Sequence, residues 1–363
     1  MLSENVLRNL FHKTDKVIQA KPWDLFTNLD ILEFESEQGE KAYIQLSREE
    51  ERESLQIFVG EKAFHSLSYS FDNTLYASQF DYLEKELMKD CYILSLLPQA
   101  ELFDEEKESF VALKEEKELF PAIRRQRPMI FPSSIEEDAD VAIFMQAFDV
   151  ILSATQYFPR FGKDKGNASF HRWMEEMNAE NPDQKDYIPY AQIQDGVYFW
   201  KPIAVDWLST AEMNDTKLIP DGPINPDDIT VINTRKAKTN KGQIAYFDVF
   251  CPGLPVVDKN GIWRYCMGFI LSDLHDMNKT LIHFFLPDED KNELFSVLSE
   301  HLQQKGSPLA IKAIDNRSLA LAEELFAPLS TKVTKGKGEM KVKVAHFEEQ
   351  AYSALIAQSQ TNN

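Results

Sequence analysis

A set of acids near the C-terminus has the residue types and spacing that metal-assisted chemistry needs. Asp248 lies inside the apolar run QIAYFDVFC, where an acid flanked by aromatics needs a reason. Asp315 ends PLAIKAID, and Glu348 and Glu349 lie on a terminal helical stretch. Strands and a helix that bring such acids together can hold Mg²⁺ or Mn²⁺ ions and clamp the attacking and leaving oxygens of a phosphodiester. Each acid also has a plainer reading. Asp315 caps a helix over 316–329, Asp248 turns to solvent by strand alternation, and Glu348 and Glu349 belong to a solvated helix face.

A second constellation, Asp273-x-His275-Asp276 with His283 on the following strand, offers oxygen and nitrogen ligands suited to Zn²⁺ or Mn²⁺. The same LSDLHDMNKTL also reads as a polar turn, because Asp and Asn favour turn geometry, and the turn is the simpler account. Basic residues gather at Arg124, Arg125 and Arg127, at Arg235, Lys236, Lys238 and Lys241, and along Lys332, Lys335, Lys337, Lys341 and Lys343. Of these, Arg124, Arg125, Arg127, Lys335, Lys337 and Lys341 are candidates for holding an anion. Pairing with neighbouring acids, or a lysine-protected edge strand, serves equally well. No G-x-S-x-G, glycine-rich phosphate loop or dinucleotide fingerprint occurs, and no cysteine has an evident neighbouring base.

These residues must be positioned by two different kinds of unit. Ser3 caps a first helix with Val6, Leu7, Leu10, Phe11 and Val17 on one side. Strand patterns at 31–36, 41–47 and 53–60 form an antiparallel meander. Helices follow over 61–71 and 80–90, then a strand at 91–98, a charged helix over 104–120, an extended PAIRRQRPMIFP and a long helix over 133–158 capped by Ser133 or Ser134. Residues 159–222 read as a polar linker or inserted loop with one apolar strand, VYFWKPIAVDW. Beyond it, strands at 228–237, 243–251, 263–273 and 279–287 precede helix 288–306, strand 308–315, helix 316–329, strand 331–335 and helix 345–358. The expected fold is therefore α+β in two domains. Residues 1–158 build an antiparallel sheet with helices, and 223–363 build a mixed α/β sheet. A meander followed by alternating helix and strand is also the order of ribonuclease H-like and integrase-like nucleases.

Charge separates the same two regions. Of the formal charge of -20, residues 1–222 carry -19 and residues 223–363 carry -1. The acidic region repels nucleic acid and anionic membrane, which leaves a protein partner for it, for instance a basic protein that it meets as a DNA mimic. Cys91, Cys251 and Cys266 are odd in number and lie in apolar runs, which points to a reducing, cytoplasmic setting. No apolar stretch reaches the ~20 residues of a membrane span.

Residues about 17–158 resemble the N-terminal domain of an uncharacterised family of bacterial proteins, through KPWDLF, AYIQLS…LQIFVGEKAF and ELFPAIRRQRPMIFP. Residues about 243–350 resemble the domain that often follows, through YCMGFILSD, the segment FLPDEDKNELFSVLSEHLQQKGSPLAIKAIDN and a last basic strand before FEEQ. The resemblance implies two cytosolic domains and no established activity. Together these readings favour a cytosolic protein that binds a protein or ligand through its domain junction, without classical catalytic machinery. The alternatives are a divergent ribonuclease H-like nuclease or nucleic-acid binder, using Mg²⁺ or Mn²⁺, and an acidic DNA mimic.

Overall fold

A computed structural model describes the chain except for residues 1, 50–51, 71–78, 114–117, 136, 162–171, 174–185, 206–217, 238, 275–278, 338 and 362–363. The chain divides into two compact units. Met1–Asp72, Lys89–Pro128 and Pro132–Ser209 form the first, and Asn73–Met88, Met129–Phe131 and Thr210–Asn363 form the second. The architecture is α+β, with helices packed on mixed sheets.

In the first unit, α1 (Glu4–Ala20) starts where the Ser3 hydroxyl accepts from the Val6 N–H, and it buries Leu10, Phe11 and Val17. Strands β1 (Ile31–Glu35), β2 (Lys41–Glu49) and β3 (Arg52–Val59) form the expected antiparallel meander, with Leu32 opposite Ile44 and Ile44 opposite Ile57. Helices α2 (Glu61–Ser70) and α3 (Gln79–Leu87) come next, with α3 counted in the second unit. They are followed by β4 (Cys91–Leu97), α4 (Asp104–Leu113), β5 (Phe120–Arg127), β6 (Ile130–Ser134) and α5 (Asp138–Tyr157). A hairpin of β7 (Asp186–Gln194) and β8 (Val197–Val205) completes the unit. Its strands run in the order β5-β4-β3-β2-β1-β7-β8, all antiparallel except the β1–β7 pair. Period-2 alternation gives the sheet two covered faces. Leu32, Phe34, Ile44, Ile57 and Leu94 share a core with α1 and α5, whereas Ile31, Tyr43, Phe58 and Cys91 share one with Ala63 and Leu67 of α2.

Several expectations need correcting here. Ser133 and Ser134 are the end of β6, and the α5 N-cap is Glu137. The charged segment does not stay helical to 120, because Phe120 already pairs with Leu97. Residues 186–205 are no linker, since β7 adds to the sheet beside β1. Asp138–Arg160 is the single helical stretch among the described residues that is long and apolar enough to cross a membrane. Here it serves as a core helix: Phe144, Phe148 and Ile151 are buried in the first unit's core.

The longest segment of the second unit opens with α6 (Asp228–Lys236), where the β-branched run ITVI suggests a strand. Capping decides otherwise: the Asp227 carboxylate accepts from the Thr230 N–H at 2.8 Å and from the Thr230 hydroxyl at 2.6 Å. Its sheet holds β9 (Thr239–Phe250), β12 (Met267–Ser272), β13 (Leu281–Phe285), β14 (Ser307–Ala313) and β15 (Lys332–Lys335). The expected single strand 263–273 is broken at Cys266. Its first part, β11 (Trp263–Tyr265), pairs with β10 (Pro255–Val257), and its second part enters the sheet as β12. The order is β13-β12-β9-β14-β15, with β12 antiparallel to both neighbours and β14 parallel to both of its own. Helices α7 (Lys291–Lys305) and α8 (Asn316–Phe326) share a core with Phe247 and Phe269. The last helix, α9 (Glu339–Thr361), shares another with Phe250, Ile270 and Phe80 of α3. Because α9 starts at Glu339, Lys341 and Lys343 are helical and not part of a basic strand.

Candidate functional site

Strand alternation places Phe247 and Val249 of β9 in the core with α7 and α8, and so directs Asp248 toward α9. Asp248 is buried and does not face solvent. The Ser318 hydroxyl donates to its Oδ1 at 2.7 Å, and the Val249 N–H approaches the same oxygen at 2.9 Å. Asp315 lies just past β14 and caps α8, accepting from the Ser318 N–H at 2.7 Å. One serine therefore links the two aspartates, through its hydroxyl and its amide. Glu348 reaches in from α9 and is only 2 % exposed. Its neighbour Glu349 lies outside the cluster and accepts from the Gln79 N–H at 3.1 Å.

Two cations complete the group. Arg317, next to Ser318 on α8, holds both carboxylate oxygens of Glu84 on α3 and donates to the Val249 carbonyl at 2.8 Å. Lys341 on α9 pairs with Asp81 of α3 at 3.3 Å. Sequence reasoning missed Arg317, Glu84 and Asp81. The first reads as an ordinary residue after a helix cap, and the other two lie more than 200 positions away in the chain.

Electrostatics follow from this crowding. Burial first, then the Asp315 charge, push the Asp248 carboxyl up to about 7, against partial relief from Ser318 and Arg317. Burial and the adjacent Asp248 drive Glu348 well above its ordinary range. Burial and their proximity disfavour ionising both acids together. Burial alone would lower the Arg317 and Lys341 pKa values, but the surrounding carboxylates more than reverse it. Two buried atoms, Glu348 Oε1 and Arg317 Nε, have no hydrogen-bond partner.

The acids of the cluster are partly engaged by the chain's own donors and cations. Among the described residues no three His, Cys, Asp or Glu side chains are arranged to hold a metal. Asp248 Oδ1 and Asp315 Oδ1 are taken by Ser318, and positive charge is already supplied by Arg317 and Lys341.

The other candidates that the structure describes lie apart from one another. His275 and Asp276 lie outside the described residues. Asp273 accepts from Gln243 at 2.8 Å, and His283 is opposite Phe269, four positions away along β12 or about 13 Å. Burial lowers the His283 pKa. Arg124 makes a two-pronged pair with Glu106 at 2.9 and 2.8 Å and stacks on Phe103. Arg125 pairs with Asp90 over the Tyr92 ring, while Arg127 is exposed. Lys335 donates to Asn316, and Lys337 is exposed, so the lysines of this set point to different places.

A second feature belongs to the first unit. On the α2 side of its sheet, Glu33, Lys41, Tyr43, Phe64, Glu61 and Val205 help line a cavity of about 480 Å³. The Glu33 carboxylate is 3 % exposed and 3.4 Å from the ammonium of Lys41, which is itself largely in solvent. Burial raises the Glu33 pKa, and Lys41 offsets part of the shift.

Residues 8–172 match the family model described as a domain of unknown function (DUF7309). That family is uncharacterised, and the match falls mainly on the unit that carries the cavity. No curated protein and no solved structure matches the chain.

Proposed function

We propose that this chain is a binding protein without hydrolase activity, whose second unit is a ribonuclease H-like module with its carboxylates balanced by the chain's own cations. The strand order β13-β12-β9-β14-β15, with a meander followed by two parallel strands, supports the module. The observation that carries the reading is Arg317, held on Glu84 beside Asp248 and Asp315. A two-ion hydrolase needs ionised carboxylates open to solvent, with room for ions about 4 Å apart. Here Asp248 and Glu348 are buried with raised pKa values, and Arg317 and Lys341 already offset part of the cluster's negative charge.

A specific observation also favours a nuclease as the second reading. Asp248, Asp315 and Glu348 come from the first strand of the sheet, the end of its fourth strand and the last helix, where such enzymes carry their acids. One experiment separates the two. The full chain is titrated with MnCl₂ and incubated with RNA, DNA and RNA–DNA hybrids. We expect no saturable Mn²⁺ binding and no cleavage. Metal-dependent cleavage that disappears in both Asp248→Asn and Asp315→Asn would overturn the binding reading in favour of the second. The binding reading also requires a melting shift with some small molecule or a stable partner in a pull-down, and it fails if neither is found.

A further inference from the structure

We propose that the cavity on the first unit takes a small organic ammonium ion, with Glu33 as its counter-ion and Tyr43 and Phe64 as its aromatic walls. The proposal deepens the binding reading above and rests on it.

The register of the sheet builds this site. Phe58 on β3, Tyr43 on β2, Glu33 on β1, Tyr190 on β7 and Lys201 on β8 are successive pairing partners and form one row across the α2 face. In that row the acid stands between two tyrosines. Phe64 of α2 lies over Tyr43, with ring centroids 5.0 Å apart. An acid buried on an inner strand, between β2 and β7, is costly unless something compensates it. Its one cationic neighbour in the cavity wall is Lys41, whose side chain is 70 % exposed and free to swing into solvent. Glu40 and Glu61 also line the cavity, so its walls carry three carboxylates against one ammonium.

That combination selects among ligands. An anion meets excess negative charge, and a neutral polyol leaves three carboxylates facing Lys41 alone. An ammonium ion competes with the exposed Lys41 for the Glu33 carboxylate and adds a second positive charge among three acids, and its carbons meet aromatic faces that attract cations. The volume is in the range of small-ligand sites.

The test is calorimetry on the full chain at constant ionic strength with benzylammonium, tetramethylammonium, benzyl alcohol and benzoate. We expect saturable binding of at least one ammonium ion and none of benzoate. Glu33→Gln should weaken that binding at least tenfold, and Phe64→Ala severalfold. Lys41→Met removes the competing cation from a solvent-exposed position and should tighten binding severalfold. It keeps the test decisive if Glu33→Gln fails to fold. Absence of ammonium binding, equal binding of benzoate, or an unchanged Lys41→Met affinity would each overturn the proposal. If a melting-shift panel of sugars, nucleotides and carboxylic acids then yields a ligand, only the ammonium assignment falls. If it yields none and no partner is captured, the binding reading falls with it.

Discussion

Replacing Asp248 with Asn should make the second unit more stable at neutral pH and leave it nearly unchanged in acid. Asn keeps the shape and a hydrogen-bond acceptor for Ser318, but has no proton to lose. The wild-type carboxyl is raised from 3.8 to about 7 in the folded chain. A raised acid contributes stability that is complete below its unfolded pKa and is lost as pH climbs through the folded pKa. The window is therefore about pH 4 to 7. At 1.36 kcal/mol per pKa unit the full shift corresponds to about 4 kcal/mol, and relaxation around the site reduces this to about 2–4 kcal/mol. The assay is urea unfolding from pH 4.5 to 8, with hydrogen exchange of β9 and β14 amides as the reporter of the second unit. The stability difference, Asn variant minus wild type, should be near zero at the acid end and grow across the window. The reasoning is refuted if that difference is flat with pH, or if the variant is less stable at pH 7.5.

Asp315 separates a cap from a catalyst. Asp315→Asn should keep stability within about 0.5 kcal/mol, because Asn caps as well as Asp, whereas Asp315→Ala should cost about 1–2 kcal/mol in thermal or urea unfolding. Arg317→Met leaves Glu84 and the aspartates without their counter-charge and should cost about 3 kcal/mol, measured by urea unfolding; a neutral result would remove the cation balance from the argument.

Much of the fold was legible in local pattern. The meander, the Asp315 cap and the alternation of helix and strand after Leu286 all depend on neighbours within a few residues. The errors came where two local signals competed. In ITVI the β-branched side chains favour a strand, yet the Asp227 cap, which accepts from the Thr230 N–H and hydroxyl, starts a helix. In WRYCMGFILSD a continuous apolar run conceals a change of pairing partner at Cys266. Glu33 did leave a trace in the sequence, as a charge within ILEFE, but the alternation that sends it to the α2 side also makes it look like a solvated position.

By itself the sequence determined that this is an α+β chain with most of its negative charge toward the N-terminus, because composition and periodicity are local properties. It also marked Asp248, Asp315 and Glu348 as acids needing an account. Only the tertiary structure decided what they do. Whether Asp248 meets water, an ion or Arg317 depends on α3, which brings Glu84 and Asp81 from more than 160 residues away. The Glu33 row likewise exists only once five strands are in register. Charge in a low-dielectric interior is governed by its nearest neighbours in space, and those neighbours are not its neighbours along the chain.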